Sequence, residues 1–123
     1  MKVLIVDDSF TARAEIRFVV EATGMKTIEA TDGYQALAHL ENFDDIGLIF
    51  CDLNMPGMDG MDFLRERVSQ AGHEVPCFIL SVEASRQLMK ESVELGALGW
   101  LIKPIDHESV HAILHKYFKS STS

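Results

Sequence analysis

The chain has 123 residues, of which 47% are hydrophobic and 24% are charged. This length fits a single domain, and this composition supports a packed core and excludes wholesale disorder. The formal net charge of -8 argues against general nucleic-acid binding, which needs a basic surface that displaces counterions from phosphates.

The N-terminal apolar run, which ends at Val6, is far too short for a secretory signal or a membrane span. Cys51 and Cys77 lie within apolar runs and show neither C-x-x-C nor Cys/His ligand spacing. We therefore expect buried free thiols, a cytoplasmic protein and no membrane partner.

Short apolar runs alternate with longer amphipathic runs along the whole chain. Strands are predicted at residues 2–6, 25–30, 47–51, 76–80 and 98–102. Helices are predicted at residues 9–23, after a cap at Thr31 or Asp32, from the end of the loop 53–59 to near Gly72, at residues 84–95, and after a cap at Asp106. This order predicts an α/β fold in which five helices cover both faces of a five-stranded parallel sheet.

Candidate site residues follow four of the five predicted strands. They are Asp7 and Asp8 after the first strand, Asp52 after the third, Ser81 after the fourth and Lys103 after the fifth. The carboxyl ends of parallel strands share one edge of a sheet, where ligands bind in such folds. Three converging carboxylates favour a hard divalent cation such as Mg²⁺. With a lysine and a hydroxyl nearby, they predict a site that holds a phosphoryl group on a carboxylate nucleophile.

Each of these residues alone has a structural explanation, such as a helix-capping acidic pair or a turn. Their combination and spacing, however, resemble the receiver domain of two-component response regulators, of the CheY-like single-domain type. The motifs that carry the resemblance are Leu4-Ile5-Val6-Asp7-Asp8, Asp52-Leu53-Asn54-Met55-Pro56-Gly57-Met58-Asp59-Gly60, Ser81, Gly96-Ala97 and Lys103-Pro104. The resemblance implies a flavodoxin-like, doubly wound sheet of order 2-1-3-4-5. It also implies a receiver domain over residues 1–118, followed by a frayed tail at residues 119–123.

The resemblance further implies a phosphoryl-accepting switch. Asp52 would take the group from a histidine kinase with the help of Mg²⁺. Asp8, Asp52 and the backbone carbonyl of Asn54 would ligate the metal directly, and Asp7 would act through water. The chain would catalyse only its own phosphorylation and dephosphorylation, and would not be an enzyme in the ordinary sense.

Three further positions complete the implied switch. Lys103 would contact the phosphoryl oxygens, and the bond from Lys103 to Pro104 would be cis. Ser81 would move to hydrogen-bond one of those oxygens. Trp100 stands where the family usually has Tyr or Phe, and we expect it to rotate inward on activation. The fourth helix, fifth strand and fifth helix would then regulate a protein partner, in a chemotaxis-type pathway.

Three positions beside the site bear on how long the phosphate survives. Val82 replaces the small residue that is usual in the family, and its branched side chain would narrow access for water. Asn54 and Glu83 form the combination seen in CheY-type proteins at the two variable positions. We expect Val82 and that pair to act on the lifetime in opposite directions.

Other functions remain as alternatives. A magnesium-dependent phosphohydrolase with an aspartyl nucleophile typically needs a second acid two residues further on, where this chain has Asn54. A flavin or nucleotide carrier needs a hydroxyl- or glycine-rich first loop, where this chain has Asp7 and Asp8. A third alternative is that the chain is a receiver domain excised from a longer regulator.

Three histidines fall at i, i+4 and i+8 on the last predicted helix, namely His107, His111 and His115. This spacing is compatible with metal binding, but a solvated stripe is the expected interpretation.

Overall fold

The computed structural model describes residues 1–70 and 74–118. Strands and helices alternate along this part of the chain. The strands are β1 (Lys2–Val6), β2 (Lys26–Ala30), β3 (Ile46–Asp52), β4 (Cys77–Ser81) and β5 (Gly99–Ile102). The helices are α1 (Phe10–Ala22), α2 (Gly33–Asn42), α3 (Gly60–Arg67), α4 (Arg86–Glu94) and α5 (His107–Phe118).

The five strands form one parallel sheet in the order β2-β1-β3-β4-β5, which confirms the predicted fold. Alternate residues of the central strands point to opposite faces, so the sheet separates two apolar layers. One layer packs against α2, α3 and α4, and the other packs against α1 and α5. Strands buried on both faces explain why the central strands read as nearly continuous apolar runs.

Side-chain caps fix where most helices begin, and hence where the loops at the sheet edge end. Ser9, Asp32, Asp59 and Ser85 each accept a hydrogen bond from the backbone N–H three residues further on. At the start of α5, Asp106 accepts a hydrogen bond from the N–H of Glu108 at 3.2 Å. The caps predicted at the starts of α2 and α5 are therefore confirmed, and the α2 cap is Asp32.

The end of α3 differs from the prediction. The helix ends at Arg67, and Gly72 lies outside the described residues. Val68 lies four residues after the buried Leu64, so helical spacing predicts that it is buried on the same face. In the structure Val68 is 56% exposed, whereas Arg67 is 2% exposed. The Arg67 guanidinium donates to the carbonyl of Val75 at 2.8 Å and lies 3.4 Å from that of Gly96. Tertiary contacts to those two carbonyls, rather than the hydrophobic period, determine which face of the last turn is buried.

The two cysteines are free and buried, as expected. Burial raises the pKa of Cys77 to about 12, and it raises the pKa of Cys51 well above its ordinary value. Within residues 1–70 and 74–118, no helix has the length and apolarity needed to cross a bilayer. The tail predicted at residues 119–123 lies outside the described residues.

Candidate functional site

The sheet brings the predicted site residues to one edge. Asp7 follows β1, Asp52 ends β3, Ser81 ends β4 and Lys103 follows β5, and these four strands are consecutive neighbours in the sheet. At their carboxyl ends β3 and β4 each extend one residue beyond the prediction, so Asp52 and Ser81 belong to their strands. The N–H of Lys103 donates to the carbonyl of Ser81 at 2.7 Å, which continues the contact between β4 and β5 beyond the strand ends.

Three carboxylates form the centre of the site. One carboxylate oxygen from each of Asp7, Asp8 and Asp52 lies within 4.8 Å of the others. Asp7 and Asp52 are buried, and Asp8 is exposed. Burial raises the pKa of Asp52, the charges of Asp7 and Asp8 raise it further, and Lys103 opposes the shift. Clustered oxygen donors whose negative charges repel one another suit a hard divalent cation.

Lys103 bridges two of the three carboxylates. Its Nζ lies 2.8 Å from Oδ2 of Asp7 and 3.0 Å from Oδ1 of Asp52. Burial acts to lower the pKa of Lys103, but the hydrogen bonds and charges of the two carboxylates outweigh it and raise that pKa. The ammonium group is therefore charged at neutral pH. The bond from Lys103 to Pro104 is cis, as the resemblance implied.

Asp7 and Asp52 differ in how firmly they are held. Oδ1 of Asp7 accepts from the N–H of Ser9 at 2.9 Å, and its Oδ2 accepts from Lys103. Among the described residues, no hydrogen bond or ion pair engages Oδ2 of Asp52. Asp7 is thus a fixed acceptor of hydrogen bonds, whereas Asp52 keeps one oxygen with no protein donor, as a nucleophile requires.

Arg13 supports the site from α1, although no sequence pattern singles it out. Its Nη1 donates to the backbone carbonyl of Asp7 at 2.7 Å, and its Nε donates to Glu29 on β2 at 2.9 Å. Arg17, one helical turn further on, pairs with the same Glu29 at 2.7 Å but has no described contact with Asp7. Arg13 therefore connects the loop after β1 to the neighbouring strand.

Gly60 is a second residue whose role was missed, because it entered the prediction only as the last residue of the motif after Asp52. A Cβ at Gly60 would lie 2.6 Å from the carbonyl oxygen of Asp52 and 3.0 Å from Cα of Leu53. The N–H of Gly60 donates to the carbonyl of Leu53 at 2.9 Å. Only a residue without a side chain lets α3 begin so close to the backbone of Asp52. Asn54, two residues after Asp52, is exposed.

Two hydrogen bonds link the end of β4 to β5. The Ser81 hydroxyl oxygen accepts from the N–H of Glu83 at 3.1 Å, and Nε1 of Trp100 donates to the carbonyl of Glu83 at 3.0 Å. Ser81 is buried and Trp100 is half-buried against the core layer of α2, α3 and α4. Val82 points outward and is 72% exposed.

This fold and this edge of acidic residues, lysine and serine define a class of signalling domain. The chain belongs to the response regulator receiver domain family, whose model matches residues 3–115.

Individual relatives agree with this assignment. The chain is 36% identical to the chemotaxis protein CheY of Pseudomonas aeruginosa, with 97% of each chain covered. It is 34% identical to chemotaxis protein CheY-3 of Vibrio cholerae, which covers 97% of this chain and 92% of that protein. It is 32% identical to sporulation initiation phosphotransferase F of Bacillus subtilis, over 94% of this chain and 92% of that protein.

Among solved structures, CheY4 of Vibrio cholerae superposes with a TM-score of 0.86 at 32% identity, covering 94% of this chain and 97% of that one. The five-stranded flavodoxin-like architecture is therefore shared with a structurally characterised chemotaxis response regulator.

Proposed function

We propose that the chain is a phosphoryl-accepting switch in which Asp52 takes a phosphoryl group from a phosphohistidine of a histidine kinase. The observation that carries this proposal is the pairing of a free Asp52 oxygen with a charged Lys103 on the other oxygen. Residues 1–118 act as the receiver domain.

In the proposed transfer, the free oxygen of Asp52 forms a bond to phosphorus while the phosphorus–nitrogen bond to the donor breaks. The departing imidazole leaves with the electron pair of that bond and takes up a proton. The Lys103 ammonium is placed to bind a phosphoryl oxygen, because it already contacts the acceptor carboxylate. Ser81 accepts one hydrogen bond in the structure, so its own O–H is available to donate to another phosphoryl oxygen.

The acidic cluster fits a magnesium ion. Its three carboxylates supply the oxygen donors that Mg²⁺ prefers. The resemblance to receiver domains adds the backbone carbonyl of Asn54 as a fourth candidate ligand. Asp8 and Asp52 would bind directly and Asp7 through water. When bound, the ion neutralises negative charge that builds up on the phosphoryl oxygens.

The decisive experiment measures phosphorylation of Asp52. Incubation with Mg²⁺ and acetyl phosphate should add one acid-labile phosphoryl group, detected by intact mass. Asp52→Asn should lose it, because an amide cannot act as the carboxylate nucleophile. Asp44→Asn is the matched control, because Asp44 is an exposed aspartate in the α2–β3 loop and should label like the parent. Equal labelling of Asp52→Asn and the parent would refute the assignment.

A separate measurement tests the metal. Mg²⁺ should raise the melting temperature of the unphosphorylated protein, because an ion that binds only the folded state stabilises it. Asp8→Ala should abolish that response. Without metal, Asp8→Ala should be at least as stable as the parent, because one of three crowded charges is gone. A parent whose melting temperature ignores Mg²⁺ would contradict the metal assignment.

We further propose that the output surface is the α4-β5-α5 face, read by a protein partner. This face exposes the apolar side chains of Val93, Leu98 and Ile102. The names of two relatives support a chemotaxis-type pathway. Movement of Ser81 toward a phosphoryl oxygen would break the hydrogen bond that it accepts from the N–H of Glu83. Because the carbonyl of Glu83 accepts from Trp100, this movement would link the site to the output face.

The link can be followed by fluorescence, because Trp100 is the single tryptophan in the chain. Adding beryllofluoride and Mg²⁺ should reduce the accessibility of the indole to a soluble quencher in the parent. Ser81→Ala should not show that change. Identical accessibility with and without the phosphate mimic in the parent would mean that Trp100 takes no part in the switch.

Val82→Ala tests the expected effect of Val82 on the lifetime of the phosphoryl group. The variant should lose the phosphoryl group faster than the parent, because the smaller side chain widens access for water.

A further inference from the structure

A groove of about 520 Å³ lies between α1 and α5, on the face of the sheet opposite to α2 and α3. Phe18 and Ala22 contribute an apolar wall from α1. The opposite wall is contributed by α5 and carries His107, His111 and His115. Phe18 is 69% exposed, and all three histidines are exposed, so solvent reaches the imidazole rings. The proposed phosphorylation site uses none of these residues.

The imidazole nitrogens of the groove are available for a ligand. Within residues 1–70 and 74–118, no hydrogen bond or ion pair engages the ring of His107, His111 or His115. The ring of His107 makes one described aromatic contact, with Phe18 at a centroid distance of 6.2 Å. By contrast, Nε2 of His39 on α2 lies 3.0 Å from the carbonyl of Glu29. Three unpaired imidazoles on one helix therefore share a single solvent-accessible wall.

Helix geometry determines which of these rings can act together. Side chains at i and i+4 lie on the same face with Cβ atoms about 6 Å apart, a separation that two imidazoles can close around one ion. His107 and His115 are about 12 Å apart along the helix axis at 1.5 Å per residue, too far to share an ion. Two overlapping chelating pairs result, and His111 belongs to both.

We propose that α5 carries a second cation site, in which His111 and either His107 or His115 chelate one divalent transition-metal ion of the Zn²⁺, Ni²⁺ or Cu²⁺ class. Imidazole nitrogen suits these ions, whereas Mg²⁺ demands oxygen ligands, so the acidic cluster and the histidine wall select different metals. Among the described residues, only Asp7, Asp8 and Asp52 bring three such ligand atoms together. The α5 site therefore supplies two protein ligands, and water from the open groove completes the coordination.

The test titrates Zn²⁺ into the untagged protein at pH 8 by calorimetry, with Mg²⁺ in excess to occupy the acidic cluster. His111→Ala removes both pairs and should weaken binding by about a hundredfold, because a second tethered ligand binds at a high effective concentration. The double variant His107→Ala/His115→Ala keeps a single imidazole and should lose binding to the same extent. At least one of the single variants His107→Ala and His115→Ala should keep affinity within a fewfold of the parent.

Alanine is the best helix former and these side chains are exposed, so the variants should remain folded, as circular dichroism will show. His39→Ala is the matched control, a histidine elsewhere on the surface that should not alter Zn²⁺ affinity. Retention of the untagged parent on an immobilised Ni²⁺ column, and loss of retention in His111→Ala, is a second expected result. Unchanged Zn²⁺ affinity in His111→Ala, or in the double variant, would overturn the proposal.

Discussion

Replacing Gly60 by alanine should separate the stability of the fold from the geometry of Asp52, the proposed phosphoacceptor. The added Cβ would lie 2.6 Å from the carbonyl oxygen of Asp52, and all three of its nearest neighbours are backbone atoms that no rotamer change can move. Ordinary contact begins near 3.4 Å, so the start of α3 and the end of β3 must separate by about 0.8 Å.

Two opposing terms set the stability of Gly60→Ala. Overpacking of this kind costs about 1–3 kcal/mol. Alanine in place of glycine at the first position of a helix returns up to about 1 kcal/mol through its higher helix propensity. We therefore expect a net loss of about 1–2 kcal/mol in the free energy of unfolding, measured by urea denaturation. Phosphorylation should suffer more, because a displacement of about 1 Å at a reacting group can slow a reaction roughly a hundredfold.

Gly24→Ala is the control for Gly60→Ala, because it should lose a similar amount of stability without crowding Asp52. Gly24 has φ of 89°, and a Cβ there would meet nothing within 4 Å. The left-handed conformation alone should cost this variant about 1–2 kcal/mol, a loss similar to that of Gly60→Ala. Its phosphorylation rate with acetyl phosphate should match that of the parent. A Gly60→Ala protein that is labelled at the parent rate would show that Asp52 does not move, and would refute the reasoning.

Three further predictions concern contacts around the site. Trp100→Phe removes the N–H that donates to the β4–α4 loop, and should lower the free energy of unfolding by about 1 kcal/mol; no measurable loss would count against that bond. Arg13→Ala should weaken Mg²⁺ binding several-fold, because the substitution removes the hydrogen bond to the backbone carbonyl of Asp7. Arg17→Ala should leave Mg²⁺ affinity unchanged, because Arg17 pairs only with Glu29 among the described contacts. Equal losses of Mg²⁺ affinity in titrations of the two variants would contradict this prediction. Burial acts to raise the pKa of Glu29, but its hydrogen bonds and ion pairs with Arg17 and Arg13 outweigh burial and lower that pKa. The ionised Glu29 therefore stabilises the fold at pH values above its unfolded pKa. This stabilisation is lost as the pH falls through the folded pKa. Glu29→Gln should therefore destabilise the protein at pH 7 but not near pH 2, as denaturant titrations at both pH values can test.

The strand-end residues of the site were predictable because they depend on local patterns. Each apolar run ends at a polar residue. Parallel strands have their carboxyl ends at one edge of the sheet, however the helices pack against it. Asp7, Asp52, Ser81 and Lys103 were found in this way without any knowledge of loop geometry. The predicted carboxyl ends of β3 and β4 were each one residue short, since the backbone ladder continues through Asp52 and Ser81 although their side chains are polar.

The supporting residues were not predictable by the same means. Arg13 reaches Glu29 across 16 positions of sequence, and hydrophobic periodicity carries no information about such a pair. Arg67 is buried and Val68 is exposed, although helical spacing from Leu64 favours burial of Val68, because two distant carbonyls accept hydrogen bonds from the Arg67 guanidinium. For Gly60, the signal was a glycine directly after a capping aspartate, but the close approach to Asp52 appears only when α3 is packed against β3.

The loops on the two sides of Asp52 differ in the strength of the hydrogen bonds that would resist rearrangement when a phosphoryl group binds. On the β1 side, Asp7 is buried and accepts from a backbone N–H and from a charged lysine, and hydrogen bonds to charged groups contribute about 1.5–3 kcal/mol each. On the β4 side, Ser81 and Trp100 are tied to the loop by one neutral hydrogen bond each, at about 1 kcal/mol. A charge-assisted bond from the Ser81 hydroxyl to a phosphoryl oxygen is roughly twice as strong as the neutral bond that it replaces. We therefore expect phosphorylation to rearrange the β4–α4 loop more readily than the loop after β1, and to affect β5 through the hydrogen bond of Trp100.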